Sequence, residues 1–419
     1  MKTFLSNYKQ SLILLASIII GAIVGIIWKE KVSVLQPFGD LFLNLLLIII
    51  VPLIFLTITT SIAKISEPKR LGKILGTTLL IFIITSLVSA LIGILVTYPI
   101  KLVSIKDSNT INSSLDYSSE ESTDSNENVT VLSRFMSALT VDDFSKLLSR
   151  NNIVAIIVFS ILFGISIKMS GEKGKEALKI LESFMHVIMS LLKLIMYYAP
   201  IGLGCYFAVL VGTFGASIAI GYLKTFIIYT IVSLLFYFIV YSLYAFIAGG
   251  KRGLKRFWSS IFPATITSLA TCSSAASIPV NLKAAKDIGV SDDICETLIP
   301  LGTSFHKDGS IIGSVFKIMF LACMFQTPIY SVSGFFQILI VALVATLFVA
   351  AIPIGGGTIS EMMIITMMGY PVAALPILTI IATIIDPPAT LLNVIGDTSS
   401  SMLAARIIDG KNWIKRKNF

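Results

Sequence analysis

The sequence predicts an all-α polytopic membrane protein, and three observations carry that prediction. Hydrophobic residues make up 55% of the 419-residue chain and charged residues only 13%, against roughly one half and one quarter in a soluble domain. The apolar residues fall in long uncharged runs, and at ~20 apolar residues per helical crossing they suffice for roughly eight crossings. The runs cannot be strands, because a lone strand leaves its backbone unsatisfied in lipid. A soluble enzyme on a single anchor is thereby excluded.

Lys and Arg number 32 against 23 Asp and Glu, a net charge of +9. In a soluble chain this would raise nucleic acid as a partner. Here the basic residues sit in short segments between apolar runs, where they set topology, so no nucleic-acid partner is expected. The four cysteines, Cys205, Cys272, Cys295 and Cys323, show no C-x-x-C spacing, and with two histidines in the chain they suggest neither a disulfide framework nor a zinc site.

The runs 11–28, 40–63, 74–103, 152–168, 190–213 and 220–248 read as spanning helices. The first ends in Trp28-Lys29-Glu30 without an A-x-A-like cleavage site, so it is a retained helix and not a signal peptide. Lys2 and Lys9, Lys64/Lys69/Arg70/Lys73, Lys251/Arg252/Lys255/Arg256 and Arg406/Lys411/Lys415/Arg416/Lys417 belong on the cytoplasmic side, placing both termini there. Segment 104–130, acidic and rich in Ser and Asn, cannot bury enough apolar surface to fold and is expected to be a flexible outward loop.

Two segments depart from simple crossings. Residues 257–282 are uncharged, yet Lys251–Arg256 precede them and Lys283 and Lys286 follow, so both ends belong on one side. A re-entrant hairpin with Thr271–Pro279 as its non-helical middle is predicted, and such backbone is tolerated at membrane depth only where protein covers it or it lines a wet cavity. The uncharged stretch 318–360 is too long for one helix and is broken at Ile352–Thr358, a second hairpin tip. Each interrupted segment lies beside intramembrane charge, His306-Lys307-Asp308 for one and Asp386 and Asp397 for the other. Repeated units of that kind are where secondary transporters place substrate.

At 100° per residue, Asp386, Ala389, Thr390, Asn393 and Asp397 share roughly a 100° arc of one helix. A carboxylate at mid-membrane costs about 2.5–3.5 kcal/mol and should face a cation, an ammonium group or a protein donor. Helix-to-helix hydrogen bonding is the alternative for Asp397, and an N-cap ahead of Pro387 and Pro388 the alternative for Asp386. Asp308 lies in Gly302-Thr303-Ser304-Phe305-His306-Lys307-Asp308-Gly309-Ser310, where local unwinding would expose oxygen ligands suited to a hard cation. Lys307 is a cation in the site or half of a plain salt bridge; His306 is a proton carrier or a hydrogen-bonded buried imidazole.

Thr271–Pro279, Asp308-Gly309-Ser310, Pro353-Ile354-Gly355-Gly356-Gly357, Asn393-Val394-Ile395-Gly396-Asp397 and Tyr198-Ala199-Pro200-Ile201-Gly202 together resemble the dicarboxylate/amino acid:cation symporter family, the glutamate-transporter fold. The resemblance covers nearly the whole chain. It implies eight transmembrane helices plus two re-entrant hairpins with inverted repeats, a homotrimer, and a transport domain that moves like an elevator past a fixed scaffold. Residues 1–256 would be mainly scaffold, with 74–103 belonging to the transport domain and 104–150 an outward loop. Residues 257–419 would form the transport core: hairpin 1 at 257–290, helix 7 at 295–325, hairpin 2 at 335–370 and helix 8 at 374–407. Sodium sites would map to Asp397, His306 and Asn393; to carbonyls near Thr346, Leu347 and Val349; and to Thr85, Ser86 and Asp308. A substrate carboxylate would meet Ser273, Ser274, Asn393 and the Gly355, Gly356 and Gly357 backbone. Asp386 would hold an amino group beside Ala389, with Thr390 assisting.

Three departures from the family pattern bear on function. Where acidic-substrate members carry an arginine, this chain has Ala389 and Cys272, and a desolvated carboxylate needs a partner. A neutral amino acid is therefore the expected substrate, with acidic amino acids or dicarboxylates the alternative. The family's Asn-Met-Asp-Gly-Thr is His306-Lys307-Asp308-Gly309-Ser310 here, so a protonated Lys307 would compete with Na+ for Asp308, and protons rival Na+ as the coupling ion. Pro387 and Pro388 deny Thr383 and Ile384 their helical N–H partners. A channel would instead be expected to show a symmetric filter. An intramembrane enzyme using Ser273 or Ser274 with His306 lacks an evident orienting residue. The sequence thus predicts a cation-coupled carrier in a prokaryotic inner membrane.

Overall fold

The computed structural model describes residues 2–63, 69–103, 141–149, 152–347 and 357–415. Among these, helices are the only regular elements. Helix α1 (Lys2–Trp28) passes through a 3-10 segment into α2 (Gln36–Ala63), followed by α3 (Lys69–Thr97). The predicted loop at 104–130 lies outside the described residues. Past it, a short helix α4 (Phe144–Leu147) is capped by Asp143, whose carboxylate accepts from the Ser145 N–H at 3.1 Å. Then come α5 (Ile153–Met169), α6 (Gly171–Phe214), α7 (Ala216–Leu235), a π-helical turn and α8 (Tyr241–Ser260).

Five of the six predicted runs fall on one helix each, α3 ending at Thr97 and not at 103, while the run 220–248 covers α7, the π-helical turn and the start of α8. Helix α6 begins at Gly171 and not near 190, because 171–193 is an amphipathic helix whose Glu172, Lys173, Lys175, Glu176, Lys179 and Glu182 hide it from a search for uncharged runs. The helix bends by 49° between Gly171–Ile195 and Tyr197–Thr213. Pro200 explains the position, since its ring crowds the carbonyl four residues earlier. Helix α8 is broken at Gly250 (φ 61°, ψ −153°), between the apolar run and the Lys251–Arg256 cluster.

Helices α9 (Phe262–Thr271) and α10 (Ser274–Ile288) form a hairpin. The break is shorter than the predicted Thr271–Pro279: only Cys272, in the left-handed region at φ 47°, and extended Ser273 leave the helices. Ser273 accepts the Ala276 N–H at 3.2 Å and so caps α10, which carries Pro279 within it. The hairpin's ends meet, as Arg256 donates to the Ile288 carbonyl at 3.2 Å. Nearby chain ends join them: Trp413 donates to Ala248 O at 2.8 Å, and Ser291 bonds Asp409 at 3.0 Å.

Helix 7 is two helices, α11 (Asp292–Phe305) and α12 (Asp308–Met324), joined by extended His306 and by Lys307, which is also outside the helical region. The second predicted hairpin supplies α13 (Val332–Leu347) and α14 (Gly357–Met368), and most of its tip lies outside the described residues. Helix α15 (Leu375–Ile408) is unbroken.

Packing divides these elements into two groups. Helices α1, α2 and α5 pack on α6, while α3 and α7–α14 gather round α15. Tyr206 on α6 donates to Ala373 O at 2.7 Å, just before α15. Helices α7 and α8, expected with the scaffold, bond the second group: α7 sends Tyr222 to Ile377 O at 3.3 Å and Tyr229 to Gly309 O at 2.7 Å, and α8 sends Tyr241 to Leu392 O at 2.6 Å. Among the described residues, Lys73–Thr97, Ile218–Ser260 and Val372–Ile408 are each long and apolar enough to cross a membrane, and the bent α6 makes a fourth.

Candidate functional site

The polar stripe of α15 faces the breaks in its neighbours. Asp386 sits well inside α15, so the N-cap alternative is overturned: the helix starts at Leu375 and runs through Pro387 and Pro388, with Ile385 and Pro388 buried against its neighbours. The Asp386 carboxylate is half-buried and accepts from Thr390 Oγ1 at 3.2 Å. One turn on, the Asn393 side chain accepts the Ser310 N–H at 3.2 Å and donates to Ser310 Oγ at 3.0 Å. That clamps α15 to the start of α12, while Ala389 packs on the Gly309 backbone.

The predicted unwinding at 302–310 is confined to His306 and Lys307, and it turns the imidazole into the core. His306 is fully buried, with Nδ1 3.0 Å from Asp397 Oδ1 and Nε2 2.8 Å from Thr85 Oγ1 and 3.3 Å from Asp308 Oδ1. Its ring stacks on Phe82 at 4.4 Å between centroids. Thr85 has one proton, and a carbonyl of its own helix, Ile81 O, lies 2.9 Å away to take it. Both ring nitrogens then face acceptors, an arrangement that suits a ring protonated on both, an assignment that follows from its partners.

Asp308 is held from three sides: Ser89 donates to Oδ1 at 2.8 Å, the Tyr241 hydroxyl lies 3.0 Å from Oδ2, and His306 completes the set. The Tyr241 hydroxyl is also 2.6 Å from Leu392 O on α15. The expected Thr85/Ser86/Asp308 trio is thus brought together through Thr85 and His306, and Ser89, one turn beyond Ser86, is the serine on the carboxylate. Ser86 itself is half-buried. Asn393, expected beside Asp397 and His306, is engaged with Ser310. The cation touching Asp308 is His306, where Lys307 was expected. Lys307 is buried.

The hairpin side completes the surroundings. Cys272 is buried near Asp386, Ser273 is buried as the α10 cap, and Ser274 is half-buried. Asn281 donates to Val394 O at 2.8 Å and accepts from Thr398, tying α10 to α15. Thr346 lies 3.1 Å from Ser314, itself 3.4 Å from Ser360, so α12, α13 and α14 meet at three hydroxyls. Gly357 opens α14. Of the remaining expected ligands, Val349, Gly355 and Gly356 lie outside the described residues, as does the Leu347 side chain. Sequence patterns did not mark Ser89, Tyr241 or Asn281; for Ser89 the signal was its place one turn after Thr85 on the same helix face.

Gly396 makes this cluster sterically feasible. A Cβ there would lie 2.8 Å from Asp308 Oδ2, 2.9 Å from the Tyr241 hydroxyl and 3.1 Å from His306 Cε1. Gly396→Ala is expected to cost about 1–3 kcal/mol by overpacking and to lower the melting temperature in detergent, whereas an unchanged melting temperature would mean that the cluster tolerates expansion.

Chemically, the arrangement offers carboxylates, hydroxyls and an amide in a low-dielectric interior, with cations already inside it. His306 is bonded to carboxylates and Thr85, and the Ser273 hydroxyl caps a helix, so these two are not assembled as a nucleophile and base.

Comparison with known proteins accords with this picture. Residues 11–407 match the sodium:dicarboxylate symporter family. A proton/sodium-glutamate symport protein of Bacillus caldotenax is 28% identical over 417 residues, covering 96% of this chain and 95% of the relative. A C4-dicarboxylate transport protein of Bacillus subtilis is 26% identical over 409 residues (94% and 92%), and one of Aeromonas salmonicida 28% over 414 residues (97% and 94%). With a match that runs almost from end to end, and apolar helices long enough to span a bilayer, the chain is an integral membrane protein and belongs to the sodium:dicarboxylate symporter family.

Proposed function

We propose that this symporter moves a neutral amino acid together with Na+. The observation that carries this is the half-buried Asp386 carboxylate, open beside the break between α9 and α10, in a core with no arginine between Arg256 and Arg406. An ammonium group suits Asp386, and nothing bidentate is present for a second carboxylate. The first carboxylate would rest on Ser273, Ser274, Asn393 and the backbone of the second hairpin tip.

The α15-centred group is the moving part of the elevator and α1, α2, α5 and α6 the scaffold. The packing of α7 and α8 favours including them in the moving part, so that it starts near 216 and not 257. Eight spans with two re-entrant hairpins fit the helix order, and the meeting of the α9/α10 ends at Arg256 and Ile288 supports the first hairpin. Homotrimer contacts are supported by an exposed apolar stripe on α6, Ile180, Phe184, Val187, Leu191 and Leu194, at alternating four- and three-residue spacing. The basic ends of α8 and α15 support cytoplasmic termini in a prokaryotic inner membrane.

Proton coupling, or an acidic amino acid or dicarboxylate as cargo, is the second reading. The first is favoured by His306, which fills the space between Asp308 and Asp397; the second by what the relatives are named for. Counterflow of a labelled amino-acid and dicarboxylate panel in proteoliposomes, with Na+ and pH varied independently, separates these. Exchange of neutral amino acids driven by Na+ is expected; uptake of glutamate or succinate alone at micromolar concentration would refute it. Cys272→Arg or Ala389→Arg supplies the missing guanidinium and is expected to bring competition by aspartate or glutamate. Unchanged selectivity in both variants would place those positions away from the cargo.

A further inference from the structure

A second charged cluster, outside the ion and substrate positions considered so far, joins α12, α14 and α15. Lys317 on α12 and Glu361 on α14 are both buried, at 6% and 1% exposure, and pair at 3.2 Å. Thr379 on α15 donates to the other Glu361 oxygen at 2.7 Å, so both oxygens of that carboxylate are engaged. The pair borders the proposed cargo region on two sides. One turn before Lys317, a Cβ on Gly313 would lie 2.9 Å from Cδ1 of Ile385, the neighbour of Asp386 in the chain. A Cβ on Gly357, the first residue of α14 after the proposed tip, would lie 3.2 Å from Glu361 Oε1.

Resting on the amino-acid reading above, we propose that Glu361 is a specificity-determining residue: by occupying Lys317, it withholds that ammonium from a second substrate carboxylate and restricts the site to zwitterions. Within the pair the charges balance, Glu361 against Lys317. A zwitterion adds no net charge to this set. A dicarboxylate or an acidic amino acid adds a negative charge, and Lys317, which could answer it, is already committed to Glu361. Buried charge without a counter-charge is strongly unfavourable, so the acidic cargo is excluded electrostatically.

Glu361→Gln keeps the shape and an oxygen for Thr379 while releasing Lys317. The experiment measures competition by L-aspartate and succinate against proteoliposome uptake of labelled L-alanine, L-serine or L-leucine, whichever the wild type takes. Glu361→Gln is expected to raise the affinity for L-aspartate or succinate about tenfold or more, and Lys317→Gln/Glu361→Gln to abolish that gain. Glu361→Ser serves in the same way should the Gln variant not fold. A variant that melts like the wild type, or at a lower temperature, with an unchanged acidic-to-neutral selectivity ratio would overturn the proposal and leave the pair as a staple between α12 and α14. Failure of the amino-acid reading looks different: the wild type itself would then transport aspartate or succinate and no neutral amino acid.

Discussion

Asp386→Asn is expected to weaken amino-acid binding by about 1.5–3 kcal/mol, roughly 10- to 150-fold, the scale of a hydrogen bond to a charged group. The amide is nearly isosteric and can still accept from Thr390 Oγ1, now 3.2 Å from the carboxylate, so the α15 backbone should be undisturbed. What is lost is the negative charge that an ammonium group needs when it leaves water. Because Asp386 lies within a continuous helix, no capping function is lost with it. Calorimetry on the purified variant, with its melting temperature as the control for folding, measures the effect. An unchanged affinity in a folded protein would remove Asp386 from the substrate site.

The other large effect is expected from His306→Asn. The imidazole stands between Asp308 and Asp397, and removing one partner of a buried ionic cluster costs about 3–5 kcal/mol. An asparagine, the residue found in the family pattern, leaves space and an oxygen between the two carboxylates. Na+ should then do what the ring did. In Na+-free buffer His306→Asn is expected to melt well below the wild type, and added Na+ to restore it, because a ligand that binds only the folded state stabilises it by mass action. The wild type should respond to Na+ less steeply. Parallel Na+ titrations of melting temperature for the two proteins provide the test; equal slopes would mean that His306 does not stand in a cation's place.

Much of the architecture is written in local pattern. The six apolar runs became helices because burying twenty or so uncharged residues in a bilayer requires internal hydrogen bonding, which is a property of the segment alone. The shared face of Asp386, Thr390, Asn393 and Asp397 was equally legible, since helical periodicity places those side chains before any neighbour is known, whereas the unwinding expected within 302–310 was narrowed to His306 and Lys307 only by the structure. Local cues misled where packing outweighed them. Pro387 and Pro388 suggested a helix start at Asp386, yet α15 begins at Leu375 and stays helical through both prolines, packed through Ile385, Pro388 and Ala389. Thr271–Pro279 suggested a long irregular tip, yet Ser273 caps α10 and the break shrinks to two residues.

By itself, then, the sequence determined a polytopic helical membrane protein with interrupted helices, a polar stripe on its last long helix and no arginine in its core. Which groups meet was decided by tertiary structure alone. Ser89 reaches Asp308 across 219 positions of chain, Thr85 reaches His306 across 221 and Tyr241 reaches Leu392 across 151. His306 proved to be a partner of Asp308, a pairing set by non-helical backbone at two residues that turns the imidazole toward α3 and α15. Periodicity is a rule about one helix; a buried charge takes whichever partner the packing of several helices brings within hydrogen-bond distance.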